Sequence, residues 1–157
     1  MTNELDRFQP KTAGATGLFV DSSALYAYFY PRDQCHETAR AFFEAERTGS
    51  LPYRPLFTND YVLDEVVTRL RRHANFDVAT EALDSLYDGA AFDFRSVTDD
   101  VLADAVDQFR EFDDHGELSF TDHVIAVHAD SLSVDHVLTF DGDFETFGLT
   151  SIPHYVE

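Results

Sequence analysis

Leu18-Phe19-Val20-Asp21-Ser22-Ser23 is the stretch from which the fold of this chain is read. Three apolar residues run into an acid, and two hydroxyls follow. The run predicts a buried strand that stops at a carboxylate. In open α/β folds, ligands gather at the carboxyl ends of strands. Reading outward, Ser22 or Ser23 is expected to cap a helix through Tyr30, and Pro31 to stop it. A second helix is expected over 34–48, with Ala39, Phe42 and Phe43 on one face and Gly49 closing it. Leu56-Phe57-Thr58 reads as a short strand. Asn59 or Asp60 then caps a helix to residue 73, striped by Leu63, Val66, Val67 and Leu70. Further helices are expected over 77–88, from Thr98 to 112 and over 120–131, and strands at 91–95, 137–139 and 149–153. This alternation predicts an α/β fold, a central, mainly parallel sheet sandwiched between helices. Residues 1–16 are polar, without periodicity, and are expected to form a flexible N-terminal tail to a single domain over 17–157.

The chain has 157 residues and a formal net charge of −19, and Lys11 is its one lysine. A chain of this length buries roughly 70% of its unfolded surface, and 15 Phe and 7 Tyr are available to fill a core. The acids are spread along the whole chain. Such charge is compatible with disorder, but 44% hydrophobic content argues against it. A high-salt source, archaeal or bacterial, explains the balance: an acidic surface stays hydrated, and salt screens its self-repulsion. There is no overall basic footprint of a nucleic-acid binder, so any such contact rests on local arginines and metal bridges. Cys35 is the single cysteine, which excludes an internal disulfide and suits a reducing cytoplasm. No apolar run is long enough to span a membrane.

Asp21 has company. Glu65 lies in Tyr61-Val62-Leu63-Asp64-Glu65-Val66-Val67, and Asp122 in Ser119-Phe120-Thr121-Asp122-His123-Val124-Ile125. Asp141 and Asp143 follow a late strand, in Val137-Leu138-Thr139-Phe140-Asp141-Gly142-Asp143-Phe144. Each acid also has an ordinary reading. Asp21 could cap a helix. Glu65 could pair with Arg69 at i+4. Asp122 fits the third position of a capping box opened by Ser119. Asp141 and Asp143 could be turn residues around Gly142. Taken together they point elsewhere, because a parallel sheet would bring them to one edge. Two carboxylates about 4 Å apart repel by roughly 4 kcal/mol at an effective dielectric of 20. Several can share a site only if cations or protons neutralise them. Oxygen-only ligands favour Mg²⁺ or Mn²⁺ over zinc, ions that activate water and stabilise charge on a phosphodiester.

The ordered set of Asp21-Ser22-Ser23, Glu65 in an apolar helix, Leu118-Ser119-Phe120-Thr121-Asp122 and Leu138-Thr139-Phe140-Asp141-Gly142-Asp143-Phe144 resembles PIN-domain nucleases. It looks most like the toxin half of VapC-type type II toxin–antitoxin pairs, over residues 17–155. The resemblance implies a Rossmann-like PIN fold, a Mg²⁺ or Mn²⁺ cofactor and cleavage of RNA phosphodiesters by a metal-activated water. It implies an RNA substrate, a cognate antitoxin as partner and a homodimer. By this match Asp21, Glu65 and Asp122 are the core acids. Asp141 is the acid of a Thr-x-Asp stretch, and Asp143 the acid before a Phe. Ser23 is a hydroxyl supporting the first acid, and Thr121 adjoins Asp122.

Arg69, Arg71, Arg72 and His73 form the one basic cluster. It suits a helix C-terminus, and Arg69 and Arg72 are also candidate RNA contacts beside Glu65. His123 and His128 are five apart, wrong for a metalloprotease pair, and are expected at the surface or in supporting roles. No phosphate-binding glycine loop is present. Alternative functions are a housekeeping RNA-processing nuclease and a non-catalytic RNA- or protein-binding module. A phosphoryl-accepting receiver is disfavoured, because it needs a late lysine.

Overall fold

The computed structural model describes residues 3–12, 14, 16–113 and 117–154. Strands β1 (Leu18–Val20), β2 (Leu56–Thr58), β3 (Asp93–Phe94), β4 (His136–Leu138) and β5 (Thr150–Ile152) form one parallel sheet in the order β3-β2-β1-β4-β5. Helices α1 (Ser22–Phe29), α2 (His36–Arg47), α3 (Asp60–His73), α4 (Phe76–Tyr87), α5 (Asp99–Glu111) and α6 (Phe120–Ser131) flank it. β1 lies at the centre, and Leu18, Phe19 and Val20 are all fully buried. A strand covered on both faces has no polar face to alternate, hence its continuous apolar run.

The chain steps from β1 out to β2 and β3, then returns to the other side of β1 with β4. β1 and β4 therefore flank the reversal point, where a crevice opens beyond the carboxyl ends of the strands. Val20 is in register with Leu138, so Asp21 and Thr139 leave the sheet side by side. The Asp21 amide donates to the Leu138 carbonyl at 2.9 Å, and the Thr139 amide to the Ile152 carbonyl at 2.9 Å.

Side-chain caps set the helix starts. Asn59, Asn75 and Thr98 accept from the amides of Val62, Val78 and Val101. Ser119 and Asp122 form the reciprocal capping box expected of them. At α1 the expectation is corrected: Asp21 is the cap, accepting from the Ser22 amide, and Ser22 is already helical. A short 3₁₀ helix at Phe144–Phe147, not anticipated, closes at Gly148 with φ +81°, a left-handed conformation that favours glycine.

The tail is also corrected. Glu4–Phe8 form a 3₁₀ helix, capped by Asn3, and Phe8 is completely buried. Its ring meets Phe42 edge-on at 5.4 Å between centroids, and its carbonyl accepts from the Tyr53 hydroxyl. Further on, the Lys11 amide donates to His136 Nε2 at 3.2 Å. One aromatic side chain with a waiting pocket is enough to dock a polar segment, since burying a Phe contributes about 1.5–3 kcal/mol. Residues 1, 2, 13 and 15 of that segment, and 155–157 at the other end, lie outside the described residues. Among the described residues no helix is long and apolar enough to cross a membrane.

Candidate active site

Asp21 is 3% exposed, at the mouth of the crevice between β1 and β4. Its Oδ1 accepts the Ser22 amide at 2.8 Å. Its Oδ2 accepts the hydroxyls of Thr139 at 2.8 Å and Ser23 at 3.0 Å. Burial pushes the Asp21 carboxyl up to about 6, and the Asp122 charge adds to the rise; the hydrogen bonds from Thr139, Ser23 and Ser22 oppose it. Among the described residues no basic side chain pairs with this carboxylate. It is a buried acid held by neutral donors with another acid beside it.

The remaining candidate acids differ in depth and in what ties them to this centre. Glu65, half-buried on α3, accepts the Ser22 hydroxyl at 3.0 Å, and so connects to Asp21 through one serine. Asp122, half-buried at the third position of α6, accepts the Ser119 amide at 2.9 Å. Burial raises its carboxyl above the ordinary value, and the Asp141 charge contributes. It is therefore both a capping residue and a neighbour of the site; its two readings are compatible. Asp141 is exposed on the loop after β4, and its amide donates to Thr139 Oγ1 at 3.2 Å. Asp143 is exposed and its carboxylate accepts the Thr146 hydroxyl at 3.0 Å, within its own turn.

Ser23 fills the supporting position anticipated for it. Besides donating to Asp21, its Oγ accepts the Phe140 amide at 2.9 Å, joining α1 to the β4 loop. Thr121, Glu65, Arg69 and Arg72 line one cavity of about 480 Å³ with Asp64 and Tyr61. Arg69 does not pair with Glu65. Its guanidinium lies 3.9 Å from the ring centroid of Tyr26, a cation–π contact.

Two residues essential to the geometry went unrecognised in the sequence. Thr139 is the hub: its hydroxyl donates to Asp21 and accepts the amides of Asp141 and Gly142 at 3.2 and 3.0 Å. A Cβ on Gly142 would collide with the Phe144 ring, so this tight turn over Thr139 admits only glycine without rearrangement. Ser22 bridges Asp21 and Glu65. The available signal was positional, a hydroxyl directly after the apolar run of β4, as Ser22 and Ser23 follow that of β1. The expectation for the histidines is corrected too. His123 is fully buried among Phe109, Phe112 and Phe147, and His128 is buried with Nδ1 3.1 Å from Asn59 Nδ2. The helix that carries them is apolar nearly all round, so both histidines are interior.

The donor set fits a hard divalent cation: carboxylates and hydroxyls, with one acid driven up by burial. Asp21, Glu65, Asp122 and Asp141 would hold it. Among the described residues no three acids, histidines or cysteines are gathered closely enough to ligate. The carboxylates engage separate donors, Asp122 the Ser119 amide, Glu65 the Ser22 hydroxyl and Asp143 the Thr146 hydroxyl.

The PIN domain matches residues 18–148 of this sequence. The chain belongs to the PIN-domain family. No curated protein sequence matches it. Among solved structures, this PIN domain is similar to VapC20 from Mycobacterium tuberculosis, described as a sarcin–ricin loop cleaving toxin, at TM-score 0.73 and 25% identity. The match covers 85% of this chain and 96% of VapC20. FitAcB from Neisseria gonorrhoeae matches at TM-score 0.62 and 17% identity, over 87% of this chain and 97% of its own. A toxin–antitoxin complex from Klebsiella pneumoniae matches at 0.61 and 18%, over 90% and 100%. At these identities the last two support the fold alone. The fold and the resemblance to VapC-type PIN toxins expected from the sequence are borne out.

Proposed function

We propose that this PIN domain is a Mg²⁺- or Mn²⁺-dependent endoribonuclease, the toxin of a type II toxin–antitoxin pair. The observation that carries the reading is Asp21: a buried carboxylate at the strand-reversal crevice, hydrogen-bonded among the described residues by hydroxyls and an amide, with the Asp122 charge raising its proton affinity and the Asp141 charge raising that of Asp122. Similarity to VapC20, described as a sarcin–ricin loop cleaving toxin, supports the substrate class. The likeness to VapC20, described as a toxin, is consistent with a cognate antitoxin as partner. A homodimer is part of the same proposal, as is a cytoplasmic location.

Asp21, Glu65, Asp122 and Asp141 are assigned as the ligands, with Asp143 a secondary candidate because its carboxylate is engaged in its own turn. Mg²⁺ or Mn²⁺ bound there supplies the charge that activates water and offsets the developing charge of the phosphodiester. Thr139 and Ser23 fix the orientation of Asp21, and Ser22 ties Glu65 to it. Arg69 and Arg72 are assigned to phosphates on the Glu65 side. The test is cleavage of total tRNA and rRNA fragments by the parent and by Asp21→Asn, with and without EDTA. Loss of cleavage in the variant and in EDTA is expected. Full activity in the variant, or activity indifferent to EDTA, overturns the mechanism.

A further inference from the structure

A second cavity, of about 1040 Å³, includes Asp141 in its lining. Thr139, Asp141 and Gly142 form one wall, and Arg7, Lys11 and His154 another. The cationic wall lies outside the residues 18–148 that match the PIN domain, so it belongs to this chain's own extensions. It is held in place, not loosely tethered. The His154 amide donates to the Arg7 carbonyl at 2.8 Å, and His154 Nε2 lies 3.2 Å from the Gln9 carbonyl. The Lys11 amide is tied to His136 and Phe8 is buried in the core.

Four of the eleven Lys and Arg side chains are ion-paired among the described residues, and Arg32, Arg71 and Arg110 are as unpaired as the cations of the two cavities. Arg40, Arg47, Arg54 and Arg95 each form an ion pair with a nearby acid. Arg7 and Lys11 form none among the described residues, in a chain where acids outnumber Lys and Arg by 30 to 11. Nε of Arg7 is buried without a hydrogen-bond partner there, and its guanidinium lies 4.8 Å from the centroid of the Phe8 ring, a cation–π contact. Of the other acids that line this cavity, Glu145 is committed to the Ser151 amide and hydroxyl, and Glu4 forms no ion pair with Arg7 among the described residues. Arg69 and Arg72 also lack ion pairs among the described residues, and they line the cavity on the far side of Glu65. One pair of unpaired cations thus shares a cavity with Glu65, and another shares a cavity with Asp141.

We propose that Arg7 and Lys11 bind backbone phosphates of the RNA substrate, so that the strand crosses the acids from the Arg69–Arg72 cavity to the Arg7–Lys11 cavity. The proposal rests on the ribonuclease reading and adds where the strand runs. Cavities of this size accept nucleotide-sized groups. In strong salt only contact-range phosphate pairs persist, because the Debye length falls to about 3 Å at 1 M. A guanidinium makes two hydrogen bonds to phosphate and suits that regime.

The experiment uses the full chain carrying Asp21→Asn, so that RNA survives, and a fluorescently labelled single-stranded RNA. Affinity is read by anisotropy across KCl concentrations at which circular dichroism is constant. Arg7→Gln with Lys11→Gln is expected to weaken binding about tenfold. It is also expected to reduce the slope of log K against log[KCl] by about 0.7 for each phosphate that is no longer neutralised. Arg7→Lys should retain most of the slope. Lys11→Gln alone, at an exposed side chain, carries the test if the double variant does not fold. Unchanged affinity and slope in a folded variant overturn the path while leaving the nuclease reading intact. Absence of any RNA binding or cleavage by the parent overturns both.

Discussion

Asp21 caps a helix and anchors the acid site with the same carboxylate, and these duties conflict at neutral pH. Its folded pKa, about 6, lies above the ordinary 3.8. The native state therefore holds the proton more tightly than the unfolded chain. This stabilisation is complete below about pH 4 and is lost as pH rises through about 6, a change of up to ~3 kcal/mol. Asp21→Asn preserves size and cap while removing the buried charge. Without metal, the variant should exceed the parent in stability by ~1–3 kcal/mol at pH 8, with the gap shrinking towards pH 5; urea melts at the two pH values measure it. A variant less stable than the parent at pH 8 would contradict a buried, unneutralised charge. Thr139→Val tests the hub from the other direction. It removes the largest influence lowering the Asp21 pKa and orphans two amides. We expect a loss of ~1–3 kcal/mol and an acidic limb of the pH–rate profile displaced to higher pH. An unmoved limb would assign Thr139 a purely structural role.

At the scale of elements, the sequence reveals what is periodic and local. The apolar run of β1, the stripe on α3 and the Ser119–Asp122 box each predict their own element, and the structure contains all of them. The order of strands and helices carries the parallel sheet, and with it the placement of Asp21 beside Thr139 at the strand-reversal point. What escapes is non-local or rests on one residue. Nothing near Phe8 reveals that Phe42 and Tyr53 wait for it, and a polar 3₁₀ turn has no period to detect. Thr139 looks like any strand-end hydroxyl until Asp21 is placed beside it. His123 and His128 were legible in principle, because a helix apolar on every side has no surface on which to expose them. The docked N-terminal turn supplies a prediction of its own. Phe8→Ala empties a fully buried site and should cost about 3–5 kcal/mol, read as a shift in the urea midpoint. A loose tail would leave the midpoint where it was.

For the molecule as a whole, charge dominates. A formal −19 on 157 residues sets acids against one another over the entire surface. The ion pairs that oppose this are few among the described residues, and most are exposed. Glu37–Arg40 and Glu44–Arg47 are one-turn helix pairs with largely solvated side chains, of a kind that contributes little to stability. Salt weakens such pairs slightly and screens the general repulsion much more. Between 0.15 and 1 M the Debye length falls from about 8 to about 3 Å, below the spacing of most surface charges. The thermal midpoint should therefore climb steadily from low to molar KCl near neutral pH. Net charge is the cause, so the gain should shrink towards pH 5, where the chain approaches its isoelectric point of about 4.4. Melting curves across KCl at both pH values separate screening from general salting-out, which would raise the midpoint equally at each. A midpoint that stays flat or falls with KCl near neutral pH would reject adaptation to a high-salt interior.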